Sequence, residues 1–269
     1  MPLFAANLSL MFTEWDFLDR FSAAADHGFK AVEVQFPYDH PPEAIQKRLE
    51  SARVELVLIN APPGDYAAGD RGFAAVPDRA DRFRASLAQA MIYAEHANAR
   101  KVHVMAGIAD PNDPAAQRAF RDALRLAVER LDGVEVLIEP INRRDIPGYF
   151  LSSFDLAAKI IAELKLPSLK LLYDIYHRQI LHGDVLTSLA ALMPIIGHVQ
   201  IASVPGRHEP GSGELNDDMV LARLDSLGYR GYVGCEYRPA KGTLAGLTWL
   251  TNLRRRGDGG LRSAWRDRL

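Results

Sequence analysis

Four polar residues terminate four apolar runs in the second half of the chain, and their types suit one kind of chemistry. Val134-Glu135-Val136-Leu137-Ile138 ends at Glu139, Leu169-Lys170-Leu171-Leu172-Tyr173 at Asp174, Ile196-Gly197-His198-Val199 at Gln200, and Tyr232-Val233-Gly234-Cys235 at Glu236. The intervals are 35, 26 and 36 residues, each about one strand, one helix and two short loops. If the runs are neighbouring parallel strands, the four side chains meet at one end of a sheet, where an α/β barrel builds its active site. Three carboxylates and an amide oxygen make a hard, oxygen-rich set suited to Mg²⁺ or Mn²⁺. Carboxylates crowded in this way repel one another unless a cation or protons neutralise them.

Positioning such a set requires a regular scaffold, and the rest of the chain alternates as one would. Apolar patterning predicts strands over residues 4–8, 31–35, 54–60 and 101–106 ahead of the four runs. Helices are predicted over 15–27, 42–52, 77–98, 114–131, 153–164, 184–193, 217–227 and 243–253. Eight strand–helix units predict a single closed (β/α)8 barrel, the TIM-barrel architecture, over residues 1–253. Two segments fall outside the repeat. Residues 61–76 are too long and glycine-rich for a minimal connection and read as a lid, with Gly64, Gly69 and Gly72 as hinges. Residues 254–269 carry six arginines against two aspartates and read as a basic, flexible, solvated extension.

Length and charge narrow the classes further. At 269 residues with 48% apolar content the chain is close to the roughly 250 residues of such a barrel. A net charge of −2 offers no broad basic field for nucleic acid or an anionic membrane. Cys235 is the only cysteine, so neither an internal disulfide nor a thiolate metal cage can form, and strand alternation turns it away from the site. No apolar run reaches the length of a membrane span, and Met1-Pro2-Leu3-Phe4 lacks the basic flank of an export signal. A cytoplasmic enzyme acting on a small molecule is expected, with a homo-oligomer left open.

Several stretches carry a family resemblance. Phe4-Ala5-Ala6-Asn7-Leu8-Ser9-Leu10-Met11-Phe12, Asn60-Ala61-Pro62-Pro63-Gly64-Asp65, Ile138-Glu139-Pro140-Ile141-Asn142, Tyr173-Asp174-Ile175-Tyr176-His177, His198-Val199-Gln200-Ile201-Ala202, Arg207-His208-Glu209-Pro210-Gly211 and Gly234-Cys235-Glu236-Tyr237 resemble the hydroxypyruvate isomerase family. That family lies among the sugar isomerase and endonuclease IV-like barrels, and the likeness runs from Phe4 to about Trp249. It implies interconversion of hydroxypyruvate and tartronate semialdehyde, with a metal held by Glu139, Asp174, Gln200 and Glu236. The sister 2-oxo-tetronate isomerases share nearly all these motifs, and His103-Val104-Met105-Ala106-Gly107 is more similar to theirs. Arg143-Arg144 stands where a His-aromatic pair is the family pattern.

An aldose–ketose isomerase must move one proton between adjacent carbons through an enediolate. Glu139 and Glu236, on the non-adjacent fifth and eighth strands, are the natural pair for abstraction and return, leaving Asp174 and Gln200 chiefly as ligands. A 2-oxo acid also brings a carboxylate, which calls for cations at the barrel mouth. Arg207 is the first candidate because a guanidinium matches a carboxylate bidentately; His208 and Arg238 are neighbours with the same reach. His177, three residues past Asp174, and His103, on the fourth strand, are further substrate contacts. His198 lies two residues before Gln200 on the same face, one layer deeper, where it can support a ligand. Glu33, near the end of the second strand, reads as structural. A metal-dependent sugar epimerase is the nearest rival and usually has histidine where Gln200 stands. A repair endonuclease would need a histidine-rich zinc site.

Overall fold

The computed structural model describes residues 2–258. Eight parallel strands close on themselves in chain order: β1 Leu3–Asn7, β2 Ala31–Val34, β3 Glu55–Asn60, β4 Lys101–His103, β5 Glu135–Ile138, β6 Leu169–Asp174, β7 Ile196–Ile201 and β8 Tyr232–Cys235. This is the (β/α)8 barrel that the alternation predicts. β4 is shorter than expected, because Ala106 leaves the ladder to take the Tyr149 hydroxyl as acceptor at 2.8 Å.

The helices form the outer layer: α1 Arg20–Asp26, α2 Pro42–Ala52, α3 Ala80–His96, α4 Pro114–Arg130, α5 Phe154–Leu164, α6 Ile175–Leu181, α7 Val185–Leu192, α8 Asp217–Ser226, α9 Thr243–Gly246 and α10 Thr248–Asp258. Their starts follow local chemistry. Asp113, Ser153 and Asn216 each accept a backbone N–H from the first turn that follows, and Pro114 opens α4 where no amide donor is needed. α1 and α3 begin later than predicted, each preceded by a tighter 3₁₀ turn. α6 was not anticipated. α10 runs on to Asp258, so the boundary expected after residue 253 falls inside a helix, and residues 259–269 of the expected basic extension lie outside the described residues. No described helix is long and apolar enough to cross a membrane.

Strand alternation sorts the core into two parts. One face of each strand packs outward against the helices, where Val102, Val136, Ile138, Val199, Val233 and Cys235 are buried. The other faces the barrel axis, where Ala5, Ala31, Leu137 and Leu172 form a small apolar plug, joined by both Val57 and Leu58 where the β2–β3 register slips by one residue. Two residues further along β1, β2, β5 and β6 stand Asn7, Glu33, Glu139 and Asp174. The interior therefore changes from apolar to polar within one layer, at the carboxyl ends of the strands.

The 61–76 segment is pinned more firmly than a hinged lid. Gly72 bridges to Ala106, and the Ala75 N–H donates to the Ala106 carbonyl at 2.6 Å. A Cβ on Gly72 would lie 2.4 Å from the Met105 carbonyl oxygen, so this glycine serves close backbone approach instead of a hinge. Asp70 pairs with Arg82 at 2.7 Å, and Arg71 stacks over Tyr66. Only the tip, residues 65–69, is exposed throughout.

Candidate active site

Register brings the four strand-end residues to one place. Asp174 pairs in register with Gln200, and Gln200 with Gly234, two residues before Glu236. His103 pairs with Leu137, two residues before Glu139. All of these are buried: Glu139 is 5% exposed, Asp174 and Gln200 1%, and Glu236 6%.

Asp174 has two tasks. Its Oδ1 accepts the Tyr176 N–H at 2.8 Å, capping α6, while Oδ2 faces Arg207 Nη2 at 3.2 Å and His177 Nε2 at 3.6 Å. The cap explains why a helix starts directly at the end of β6. Arg207 reaches in from the loop after β7, held in left-handed backbone at φ 53°. Its guanidinium also pairs with Glu236 Oε1, lies 3.4 Å from Asp145 Oδ2, and stacks over the Tyr176 ring. One cation thus bridges two of the predicted metal ligands.

Glu139 is the member that Arg207 does not neutralise by contact. Its Oε1 has no hydrogen-bond partner among the described residues; His177 Nε2 lies 3.6 Å from Oε1 and His103 Nδ1 3.4 Å from Oε2. Burial, reinforced by the charges of Glu236 and Asp174, pushes its carboxyl well above the usual range. Burial likewise raises Glu236 to about 8 and Asp174 to about 6, with Arg207 opposing in both. Burial works against the Arg207 charge, but Glu236, Asp174, Glu139 and Asp145 outweigh it and hold the guanidinium protonated. Burial also drives His103 down to about 3 and His177 well below its ordinary value, so both rings are neutral. With Glu33 close by, four carboxyl groups share a single guanidinium. The balance calls for protons or another cation.

Glu139, Asp174 and His177 bring one potential ligand atom each within 4.8 Å of one another, a triad able to hold a metal ion. Gln200 adds an acceptor: its Nε2 donates to Glu236 Oε2 and to Glu33 Oε1, leaving Oε1 buried without a partner among the described residues. His177 Nδ1 accepts from the Asn142 backbone N–H at 3.3 Å and the Asn142 side-chain amide at 2.7 Å. The hydrogen of this neutral ring therefore sits on Nε2, facing Glu139 and Asp174, so in this tautomer His177 gives the triad a donor and the ligand atoms are the carboxylate oxygens.

The remaining predicted residues divide. His103 is 1% exposed and adjoins Glu139. His208 turns its Nδ1 to the Arg238 carbonyl at 2.8 Å, and Arg238 is exposed on the rim, its own N–H donating to the Arg207 carbonyl. These two bind loop to loop instead of joining the buried cluster. Three participants escaped sequence reasoning. Asn7 donates to Glu33 Oε1 and to Glu236 Oε2, Gln35 donates to Glu236 Oε1, and Asn142 fixes His177. Asn7 and Asn142 were both within the quoted motifs, and Asn7 ends a strand as the others do, which was the available signal.

Known proteins resemble the chain in sequence and fold. A family model described as xylose isomerase-like TIM barrel matches residues 21–253. A 2-oxo-tetronate isomerase of Cupriavidus necator is 48% identical over 254 residues, covering 93% of this chain and 98% of the relative. A hydroxypyruvate isomerase of Escherichia coli is 41% identical with the same coverage. A crystal structure from Brucella melitensis described as an AP endonuclease, family 2, superposes with a TM-score of 0.91 at 43% identity, over 94% of this chain and 99% of that one. With the closed barrel and its strand-end cluster, these matches establish that the chain belongs to the xylose isomerase-like TIM-barrel family.

Proposed function

We propose that the chain is an aldose–ketose isomerase of short 2-oxo acids, interconverting hydroxypyruvate and 2-hydroxy-3-oxopropanoate (tartronate semialdehyde) with the help of a divalent cation, Mg²⁺ or Mn²⁺. The observation that carries this is the flanking of Asp174 and Gln200, on β6 and β7, by two buried glutamates, Glu139 after β5 and Glu236 after β8. Relatives named hydroxypyruvate isomerase and 2-oxo-tetronate isomerase, at 41% and 48% identity, support an isomerase of this kind.

The residues fit a hard cation. Glu139 Oε1 and Gln200 Oε1 are buried acceptors without partners among the described residues, and the carboxyls outnumber the one guanidinium beside them. Glu139, Asp174, Gln200 and Glu236 would hold the ion, which when bound supplies Lewis-acid polarisation of the substrate's carbonyl and hydroxyl oxygens. Glu139 and Glu236 then abstract and return the proton from opposite flanks of the enediolate, and burial, which raises both carboxyls above the ordinary range, favours their taking the proton up. Arg207, already paired with carboxylates, orients the substrate carboxylate. His177 presents Nε2–H to a substrate oxygen, and His103 lines the floor beside Glu139.

A second reading, 2-oxo-tetronate as the preferred substrate, is favoured by the 48% identical relative of that name. A nuclease would call for a histidine-rich multinuclear zinc site and a basic face, whereas these strand ends carry carboxylates and an amide. Rates measured side by side on hydroxypyruvate and 2-oxo-tetronate decide between the two isomerase readings, and inactivity on both refutes the substrate class. Isomerisation in D₂O should place solvent deuterium on the carbon that receives the proton at early turnover. Full retention of the original hydrogen together with near-normal rates in metal-loaded Glu139→Gln and Glu236→Gln would argue for a hydride shift instead.

A further inference from the structure

We infer that Glu33 is a positioning residue that sets which end of the Gln200 amide faces the cation site, an inference that rests on the metal-assisted reading above. Glu33 lies on β2, yet its carboxylate reaches across the barrel interior to β7. His198 Nε2 meets Glu33 Oε2 at 2.8 Å, and Glu33 Oε1 accepts from Gln200 Nε2 at 2.9 Å and from Asn7 Nδ2 at 3.0 Å. Both Glu33 and His198 are essentially inaccessible, at 1% and 0%.

The crossing is possible because β8 has no side chain in the way. A Cβ on Gly234 would lie 2.3 Å from Glu33 Oε2 and 2.5 Å from Oε1, and its three nearest atoms all belong to the Glu33 carboxylate. Gly234 is the register partner of Gln200, so the gap sits beside the side chain being oriented.

An amide terminus has one donor end and one acceptor end of nearly equal size, and only its partners decide which goes where. Here one end lies between two carboxylate oxygens, Glu33 Oε1 and Glu236 Oε2. Glu33 Oε1 already accepts the Asn7 amide, so what it faces on Gln200 is a second donor and that end is the NH₂. The carbonyl oxygen is left buried, without a partner among the described residues, on the side away from Glu33. With Glu236 alone the choice is weaker, because Glu236 also takes donors from Asn7, Gln35 and Arg207 and can satisfy itself without Gln200. Glu33 supplies the second acceptor and blocks the reversed amide, which would set oxygen against oxygen.

Mn²⁺ titration of the metal-stripped full chain, read by calorimetry or by loss of the free-ion EPR signal, tests this without turnover. Glu33→Gln should weaken Mn²⁺ binding by about 10–100-fold, the range for losing a group that orients a ligand. Gln200→Glu has no amide orientation to lose and sets a carboxylate oxygen against Glu33, so adding Glu33→Gln in that background should leave the affinity unchanged or raise it. Equal losses in both backgrounds would mean that Glu33 acts as a bulk charge or a packing element, and would overturn the inference. Gly234→Ala keeps every charge but displaces the Glu33 carboxylate, so it should reproduce the loss; it also stands in for Glu33→Gln should that variant fail to fold. Unchanged Mn²⁺ affinity in a folded Glu33→Gln or in Gly234→Ala overturns this inference alone. No Mn²⁺ binding by the unsubstituted chain overturns the metal reading and this inference with it.

Discussion

The two halves of the barrel mouth are built differently. β5 to β8 and their loops supply the charge: Glu139, Asp174, Glu236 and the Arg207 guanidinium. β1 to β4 supply chiefly neutral or orienting groups: Asn7, Gln35 and His103, with Glu33 tied to His198. Both halves are equally buried, so exposure does not separate them. What separates them is whether a group carries the charge of the site or holds another group still. A site needing several like charges close together concentrates them on consecutive strands, where register sets their spacing, and uses the opposite wall to fix their orientation.

That division makes quantitative claims. Glu139→Gln and Glu236→Gln should each lower kcat by at least about 100-fold, the scale for losing a general acid or base; metal content must be measured in both so that lost binding is not counted as lost chemistry. Near-normal kcat in either fully loaded variant would take the chemistry away from the charged half. Arg207→Ala should lower kcat/KM by up to about 100-fold through misplacement of the substrate, whereas Arg238→Ala, on the exposed rim, should leave steady-state kinetics unchanged. The reverse order would move carboxylate recognition to the rim.

Smaller effects test the same division through pH. Glu236 is raised to about 8 and Asp174 to about 6, each first by burial. Between the ordinary carboxyl values and these, the native protein keeps protons that the unfolded chain has released. Their contribution to stability is therefore full at low pH and is lost as pH rises toward about 8. Melting temperatures of the metal-stripped enzyme should fall across that window more steeply than those of Glu236→Gln. Mn²⁺ affinity should strengthen over the same range as the ligands lose their protons. A flat profile for both would show that the crowding is relieved by other means. Smallest of all should be Asn7→Ala, costing roughly fivefold in kcat/KM, the worth of one hydrogen bond of about 1 kcal/mol. If it matched Glu236→Gln, the distinction between supplying charge and fixing orientation would not hold.

The charged half was legible in the sequence and the orienting half was not, for a physical reason. Glu139, Asp174, Gln200 and Glu236 each end an apolar run at strand-plus-helix spacing, a signal local to each run and repeated four times. The work of Asn7, Gln35 and Glu33 depends on partners 26 to 229 residues away, across a closed barrel. Only closure brings them together. Seven strands were placed to within about two residues because alternation and run length define them, while β4 ended early where Tyr149 captures the Ala106 amide. The helix over residues 175–181 does not show in the sequence because seven residues are too few to display a helical period, and the aspartate that caps it also ends a strand. The glycines of the 61–76 segment suggested freedom, but Gly64 and Gly72 mark tight packing against Phe73, Asp70 and Met105. A glycine has the same letter whether it permits motion or contact.

The double task of Asp174 also bears on ion selectivity. With Oδ1 accepting the Tyr176 amide at 2.8 Å, Oδ2 is the oxygen of Asp174 turned toward His177 and Arg207, and Gln200 likewise presents a single oxygen, so a cation held here would meet chiefly single-oxygen donors. Ca²⁺ takes about six to eight oxygens in flexible geometry, often with a bidentate carboxylate, whereas Mg²⁺ demands a near-ideal octahedron. Under the metal-assisted reading, the helix cap that starts α6 would disfavour a larger ion, because it draws on an oxygen that a bidentate carboxylate would use.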